Sequence, residues 1–354
     1  MTDLYKELKL QVNYPDTTAM ELAKEQWDNV AKPLNSLGKF ETAVIQLAGI
    51  YGTHIFHLKN KAVLTYCADN GVVSEGISQS DSSVTAMVAE SMAEGRANIN
   101  IMAQKAGAQV YPVDIGIKED VCHPKLLNKK IAYGTGNIAE GAAMSAEQCL
   151  KALRVGIELV GELKEKDYQM IAIGEMGIGN TTTSSAMASV LLDRPAGELT
   201  GRGAGLSDSA LARKINVIRK AVEVNRPDKK DAFDVLQKLG GFDIAAMAGT
   251  CIGGMVHRIP IIMDGVISVV AGLTAMRMIP ECAPYIFASH VSKEPAGALL
   301  LEAMEKSAVL HADMCLGEGT GAVLLFPLLD IIMAEYGTAH TFREIELEPY
   351  TPQS

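Results

Sequence analysis

A glycine-rich segment carries the clearest chemical signal in this chain of 354 residues. It covers residues 174–183 (GEMGIGNTTT), directly after an apolar run and directly before residues 184–192, which have helical character. Glycines let a ligand approach the backbone, and a helix N-terminus presents N–H donors with partial positive charge. The segment therefore predicts an anion site, with phosphate as the natural guest. The alternative is a strand-to-helix turn that needs glycine only for its geometry.

A single carboxylate stands between glycines further along the chain, Glu318 in residues 317–321 (GEGTG). With few neighbouring side chains to screen it, this carboxylate would be open to a ligand, and a surface glutamate in a flexible turn is the alternative. His290 follows a predicted strand and is predicted to be structural. Four further carboxylates fall in predicted turns and could face the same crevice: Asp69, Asp114, Glu175 and Asp264.

Two stretches match the GxGxxA form of a dinucleotide fingerprint, residues 134–139 (GTGNIA) and 317–322 (GEGTGA). A true fingerprint follows an apolar strand in an N-terminal βαβ unit and has an acidic residue on a following strand end. Neither stretch meets either condition. A dinucleotide-dependent oxidoreductase is therefore only the rival hypothesis from another enzyme class, and a ligand-binding subunit without catalytic activity is the third.

Composition and charge limit the partners. Acidic residues outnumber basic ones, 42 to 32, so the net charge is −10, and no basic run is long enough to follow a phosphate backbone. We therefore expect neither nucleic acid nor an anionic membrane as a partner. The first ten residues are polar and show no secretory signal, which predicts a cytoplasmic protein.

Cysteine spacing and the most apolar stretch argue against three further features: a disulfide framework, a metal site and a membrane span. The six cysteines are scattered, with no CxxC and no short Cys/His spacing, so we predict neither a disulfide framework nor a metal site. Residues 259–276 are interrupted by Asp264 and two glycines. This stretch predicts a strand, a turn and a core helix rather than a membrane span.

Short apolar, β-branched runs alternate with longer stretches of helical period. This pattern predicts an α/β fold with a parallel sheet flanked by helices. In such a sheet ligands collect outside the carboxyl ends of the strands, so the turns there are the expected site. The predicted strands are residues 62–67, 109–114, 170–174, 260–263 and 285–288, and two of the predicted helices are residues 145–163 and 207–224.

The two chain ends share an amphipathic, helical pattern and are separated by the α/β body. We predict that residues 1–30 and 327–354 pack together as a small helical domain. Residues 31–326 would then form the large α/β catalytic domain, and its turns would carry the chemistry.

A series of motifs occurs in an order that is specific, although each motif alone is weak. They are KPLNSLG (residues 32–38), DNG (69–71) with EGIS (75–78), GEMGIGNTT (174–182), GRGAGL (201–206), ARK (212–214), GGFDIA (240–245), DG (264–265), SHVS (289–292) and EGTG (318–321). In this order they make the sequence resemble the nicotinate-nucleotide:dimethylbenzimidazole phosphoribosyltransferases, the family that makes the lower-ligand nucleotide of cobamides. The resemblance reaches across most of the chain.

The resemblance implies a Rossmann-like large domain, a small domain from both chain ends, and a dimer, either a homodimer or a heterodimer with a paralogue. It implies transfer of the 5-phosphoribosyl group of nicotinate mononucleotide to 5,6-dimethylbenzimidazole or another aromatic acceptor, such as a phenol, without a cofactor or a metal. Glu318 corresponds to the general base of the family. The residues that correspond to the phosphate and ribose site are Glu175, Gly177, Ile178, Gly179, Asn180, Thr181, Thr182, Gly203, Lys214 and Ser292.

One carboxylate suffices for the implied chemistry. The leaving ring nitrogen of nicotinate mononucleotide is a pyridinium and departs neutral, so no general acid is required, unlike in a glycoside hydrolase with two carboxyl groups. The incoming azole must lose its N–H as the new bond forms. Glu318 would accept that proton, and general-base help of this kind is typically worth about 10²–10⁴-fold in rate.

The sequence departs from the family pattern in the segment that contributes to the acceptor pocket. DNG at residues 69–71 replaces Asp-His-Gly, and SQSDS at residues 78–82 replaces Ser-x-Tyr-Pro-Gln. Loss of an aromatic ring and gain of serines predict a more polar pocket, so unsubstituted benzimidazoles, purines or phenols are predicted to compete with dimethylbenzimidazole. The predicted acceptor-binding residues are Ser80, Ser83, Met176 and Leu316.

Overall fold

The computed structural model of the protein describes residues 2–203 and 205–350. Within these ranges, six strands form one parallel sheet in the order β3-β2-β1-β4-β5-β6. The two long strands β1 and β4 lie side by side although β2 and β3 come between them in sequence. The strands are β1 Lys61–Ala68, β2 Ala108–Gly116, β3 Leu127–Asn128, β4 Met170–Met176, β5 Ile261–Met263 and β6 Ile286–Ala288.

Helices flank this sheet and connect its strands. They are α1 Thr2–Lys9, α2 Thr17–Asn29, α3 Lys39–Tyr51, α4 Ser83–Glu94, α5 Asn98–Lys105, α6 Ala146–Glu165, α7 Asn180–Leu191, α8 Ala196–Leu199, α9 Asp208–Asn225, α10 Ala232–Leu239, α11 Phe242–His257, α12 Val266–Met278, α13 Ala296–Ala303 and α14 Thr320–Thr338, with 3₁₀ helices at Gly71–Glu75 and Pro280–Tyr285. The predicted α/β fold with a Rossmann-like parallel sheet is confirmed.

The five predicted strands are all present, with each boundary within two residues of the predicted one. The apolar runs were readable because β1 is buried along its whole length and β4 along nearly all of it, as expected for central parallel strands. The stretch 259–276 forms the predicted strand, turn and core helix, β5 followed by α12. Strand β3 was not predicted, because two residues give no periodic signal.

Helices α6 and α11 pack against each other unusually closely. A Cβ added at Gly156 would lie 2.0 Å from the carbonyl oxygen of Ala246, and one added at Gly249 would lie 2.0 Å from that of Leu153. Each helix therefore uses a glycine to admit the backbone of the other. The side chains around this contact are almost all buried in the main core.

A second, smaller apolar cluster joins the two ends of the chain. Trp27 of α2 packs against Tyr336 of α14, with ring centroids 4.9 Å apart and ring planes tilted by 54°. The backbone of Val30 pairs with that of Thr341 in an antiparallel bridge. Residues of α3, such as Val44, belong to this cluster, whereas α1 packs on the main core. The predicted division into domains remains a prediction.

Helix α14 is long and apolar enough, by length and composition, to cross a membrane. Half of its most apolar window is buried inside the protein, and its first turns pack into the main core beside the sheet. These features are typical of a core helix. The helix also matters for the site described next, because the glycine-rich segment 317–321 leads into it.

Candidate active site

A cavity of about 220 Å³ opens at the carboxyl ends of the central strands. Its wall is built from the segments that follow β4, β5 and β6, from the turn before α14, and from parts of residues 77–79 and 202–214. The neighbouring strands β1 and β4 are where the strand order reverses, which is the ordinary place for a ligand in an open parallel sheet. The site predicted from the strand ends is therefore a real concavity.

Glu318 borders this cavity in a strained backbone conformation. Its φ is 62°, between Gly317 and Gly319, which both have a φ of 96°. The side chain is only 7% exposed. Its carboxylate accepts hydrogen bonds from the backbone N–H of Ile99 at 3.0 Å and from the side-chain amide of Asn98 at 3.3 Å. The first turn of α5 thus receives the negative charge of Glu318.

Three further carboxyl groups lie close to Glu318 in the interior. Burial and the charge of Asp243 raise the pKa of Glu175 to about 8, against a hydrogen bond from Asn180. Burial also raises the pKa of Asp243 to about 6 and that of Asp264 to about 7. The side-chain amide of Asn180 donates to both Glu175 and Asp243 and so bridges two of these groups.

The opposite charge lies at the start of α7. The ammonium group of Lys214 donates to Thr181 Oγ1 at 2.8 Å and to the carbonyl oxygen of Gly201 at 3.2 Å. Burial lowers the pKa of Lys214 to about 8, and the nearby Glu294 opposes part of that shift. Residues in the first turns of α7 and α12 both line this cavity, so two helix N-termini and a lysine face it. This combination suits an anionic group such as phosphate.

Most of the predicted site residues meet in this cavity. Those that line it are Glu175, Met176, Gly177, Ile178, Gly179, Asn180, Thr181, Gly203, Lys214, Ser292, Leu316 and Glu318.

Three predicted residues lie elsewhere. Thr182 is fully buried inside α7, beneath the turn that faces the cavity. Ser83 turns its hydroxyl and its N–H toward the carboxylate of Asp81 at the exposed start of α4. Ser80 also falls outside the cavity wall, and Ser78 and Gln79 of the same segment line it instead.

Several lining residues were not predicted. Glu294 accepts a hydrogen bond from the backbone N–H of Gly203 at 3.2 Å. Asn98 does not line the cavity but donates to Glu318, and it was not predicted either, because its helix carries no recognisable motif. A usable signal existed for α12, because the Asp-Gly pair after an apolar strand marks the turn that precedes it, and for the lining residues inside the EGIS (75–78) and GRGAGL (201–206) motifs. Further unpredicted lining residues are Ile77, Arg202, Leu206, Ile267, Ser268 and Met314.

His290 lies in the cavity wall, and its environment defines its tautomer. The Ser289 hydroxyl lies 3.1 Å from Nδ1 of His290, and its single proton is donated to the carbonyl oxygen of Met263 at 2.6 Å, which leaves the hydroxyl oxygen to accept from the ring. Burial lowers the pKa of His290, which favours the neutral ring. The proton of that neutral ring is therefore on Nδ1.

The rival hypotheses find less support in this geometry. Residues 134–139 form an irregular loop that starts no helix. The other GxGxxA stretch leads into α14 from a loop rather than from a strand. Among the residues that the structure describes, no group of three or more His, Cys, Asp or Glu side chains could hold a metal ion.

Comparison with known proteins gives the same result across nearly the whole chain. The sequence model of a phosphoribosyltransferase family (DBI_PRT) matches residues 12–346. The nicotinate-nucleotide–dimethylbenzimidazole phosphoribosyltransferase of Ruminiclostridium cellulolyticum is 44% identical over 333 residues, 94% of this chain and 95% of that protein. The enzyme of the same name from Acetivibrio thermocellus is 45% identical over 94% of this chain and 95% of its own length.

A solved structure is similar at the level of the fold. The crystal structure of CobT from Thermus thermophilus matches with a TM-score of 0.88 and 34% identity, and the match covers 94% of this chain and 99% of that chain. The motifs, the sheet order and these comparisons agree. The chain belongs to this family of phosphoribosyltransferases.

Proposed function

We propose that the protein transfers the 5-phosphoribosyl group of nicotinate mononucleotide to 5,6-dimethylbenzimidazole or a related aromatic acceptor, in the synthesis of the lower-ligand nucleotide of cobamides. The observation that carries this proposal is that one cavity joins an anion site, at Lys214 and the start of α7, to the carboxylate of Glu318, whose position hydrogen bonds fix. A phosphoribosyl donor needs the first, and deprotonation of an azole needs the second. The relatives that bear this enzyme name support the same assignment.

The phosphate of the donor would bind at Lys214, with the first turns of α7 and α12 supplying N–H donors. Such groups recognise a phosphate through charge and backbone hydrogen bonds together. The ribose would then extend from this end toward Glu318. Both substrates would be aligned in one pocket, which removes much of the entropic barrier of a two-substrate reaction.

Glu318 would act as general base on the acceptor. Its carboxylate borders the cavity, and its hydrogen bonds from Asn98 and Ile99 fix its position. The azole nitrogen attacks the anomeric carbon, the bond to nicotinate breaks, and the azole proton passes to Glu318. Nicotinate leaves with the electron pair of the broken bond, so the leaving ring needs no protonation.

Apolar side chains of the cavity wall would receive the aromatic acceptor. Ile77, Met176, Leu206, Met314 and Leu316 lie in that wall. They supply apolar contacts that the serine-rich segment does not, and this favours dimethylbenzimidazole as a good acceptor. Burial of its methyl groups would contribute about 0.8 kcal/mol per carbon. Phenols and purines remain the competing acceptors predicted from the sequence.

Acceptor-dependent release of nicotinate tests the proposal. Purified protein with nicotinate mononucleotide should release nicotinate only when an aromatic acceptor is added, and the second product should be an α-linked nucleotide. A change in NAD(H) absorbance without nicotinate release would support the oxidoreductase instead. Equimolar acceptors with limiting donor then rank dimethylbenzimidazole against phenols and purines.

We also propose a cytoplasmic dimer and a small domain formed by both chain ends. The resemblance to the family supports the dimer, and the cluster around Trp27 and Tyr336 supports the small domain. Light scattering after size exclusion measures the mass in solution. A mass of one chain would contradict the homodimer.

A further inference from the structure

Asp264 holds the segment that carries Glu318. It follows β5 directly and is 3% exposed. One carboxylate oxygen accepts from the N–H of Gly319 at 3.0 Å. The other accepts from the N–H groups of Gly321 and Ala322, at 2.7 and 3.2 Å. A single side chain thus binds three N–H groups immediately after Glu318, at the start of α14.

The backbone of Glu318 needs such support. Three consecutive residues, Gly317, Glu318 and Gly319, have positive φ angles, and Glu318 is the one with a Cβ. The left-handed region is unfavourable for a residue with a Cβ, so contacts from the surroundings must offset that cost. On the other side of the segment, the Thr65 hydroxyl donates to the carbonyl oxygen of Glu318 at 3.0 Å. The segment is therefore fixed by side chains from β1 and from the end of β5.

We propose that Asp264 is a positioning residue for the transfer reaction, acting through Glu318. This inference rests on the proposed function, because it assumes that Glu318 is the general base. Although Asp264 borders the cavity, both of its oxygens accept N–H groups of the segment, so its role is to hold the segment rather than to touch substrate. When this carboxylate is lost, the strained turn relaxes and the Glu318 carboxylate leaves its place beside Asn98 and Ile99.

Asp264→Asn separates this role from packing. The variant keeps the volume but replaces one oxygen with an NH₂ group, which then faces an N–H donor in either orientation. We expect kcat to fall by about 100-fold, the loss typical of a misplaced reacting group, with KM for nicotinate mononucleotide changed by less than about threefold. Thr65→Val, which removes only the second contact, should lower kcat less and provides the test if Asp264→Asn does not fold.

Asp231→Asn is the matched control. Asp231 also binds the start of a helix, α10: one of its carboxylate oxygens accepts from the N–H groups of Phe233 at 3.0 Å and Asp234 at 3.2 Å, and it does not line the cavity. This variant should lose stability without losing activity. If Asp231→Asn lowered kcat as much as Asp264→Asn does, a general effect of cap loss would replace the proposal.

Two measurements decide the mechanism. In a Glu318→Gln background, Asp264→Asn should change kcat by less than about threefold, because the group it positions is already disabled. An undiminished loss in that background would overturn the proposal. Amide hydrogen exchange at residues 317–322 should accelerate in Asp264→Asn and not in Asp231→Asn. Unchanged exchange in Asp264→Asn would also overturn the proposal, whether or not the protein is a phosphoribosyltransferase. If exchange is faster in Asp264→Asn but the wild-type protein has no transferase activity, only the proposed function is refuted.

Discussion

Two glycine-rich turns lead into helices in this protein, and they use the helix N-terminus in opposite ways. Gly179, with a φ of 94°, precedes α7, and Gly319, with a φ of 96°, precedes α14. At α14 the N–H groups are taken by the carboxylate of Asp264 from within the protein. At α7 the first turn borders the cavity and a cation, Lys214, lies beside Thr181, whereas the nearby carboxyl groups of Glu175 and Asp243 accept from the side-chain amide of Asn180.

The difference teaches that a local motif does not decide its own role. Both turns offer oriented N–H donors, so both could attract an anion. The carboxylate of Asp264 binds the N–H groups of the turn before α14 and so fixes the position of Glu318. A lysine beside the other leaves it suited to an external phosphate. The partner that makes the difference comes from another part of the chain in each case.

Glu318→Gln should have the largest effect, because it removes the carboxylate that the turn before α14 places at the cavity. The amide keeps the volume but cannot accept a proton, so we expect kcat to fall by about 10²-fold or more, with nucleotide binding retained. Steady-state kinetics with dimethylbenzimidazole and calorimetry with nicotinate mononucleotide measure the two quantities. A loss well below tenfold would remove Glu318 from the role of base.

Glu305→Gln provides the control for that variant. Glu305 is another glutamate with a positive φ, 54°, and its side chain is exposed and outside the cavity wall. Its replacement should leave kcat unchanged. Any effect at Glu318 beyond that of Glu305 then belongs to the carboxylate and not to the backbone conformation.

Lys214→Ala tests whether the turn before α7 binds the phosphate of the donor. We expect the dissociation constant for nicotinate mononucleotide to rise by about 10- to 100-fold, the value of a hydrogen bond to a charged group, and that for nicotinate riboside to change by less than threefold. Lys220→Ala, on the exposed face of the same helix, is the control. An equal loss for both ligands would place Lys214 away from the phosphate.

The pH dependence of donor binding should show a smaller effect of the same origin. The pKa of Lys214 is lowered to about 8, so the ammonium loses its charge as the pH rises through that value and affinity for the phosphate falls. Glu175, with a pKa of about 8, gains negative charge in the same range and acts in the same direction. Comparison of wild type with Lys214→Ala isolates the lysine, because the variant should retain only the weaker dependence. A flat wild-type profile between pH 7 and 9 would contradict this assignment.

Cysteine labelling gives the smallest expected change and tests whether ligands enter beside the capped turn. Cys315 is exposed and lines the cavity next to Leu316, whereas Cys122 is exposed far from it in sequence and does not line it. Donor and acceptor together should slow alkylation of Cys315 and leave that of Cys122 unchanged. Mass spectrometry of the labelled peptides measures both rates in one sample. Equal rates with and without ligands would place the acceptor away from this wall.

Local signals explain what could be predicted from the sequence. Central parallel strands are apolar throughout, so β1 and β4 were readable as short runs. The α7 turn was readable too, because the glycines, the strand before them and the helix after them are contiguous. The prediction of an anion site at this turn therefore needed no tertiary information beyond the rule that ligands gather at strand ends.

Long-range partners explain what could not be predicted. Asp264 lies 55 to 58 residues before the N–H groups it accepts, and Asn98 lies 220 residues before Glu318. No periodicity links such pairs. Ser83 illustrates the opposite case, since Asp81, only two residues away, holds its hydroxyl at the start of α4. A motif position alone could not reveal that local competitor.

The glycine contact between α6 and α11 limits how the protein can vary far from its cavity. One methyl group at Gly156 or Gly249 would overlap a backbone carbonyl, so the two helices would have to separate as rigid bodies. Helix α11 begins with Phe242 and Asp243, and the Asp243 carboxylate accepts from the amide of Asn180 in the active site. A substitution at a buried helix crossing would thus move a carboxyl group that contacts Asn180 in the cavity wall. A substitution at either glycine should accordingly lower the activity of the protein as well as its stability.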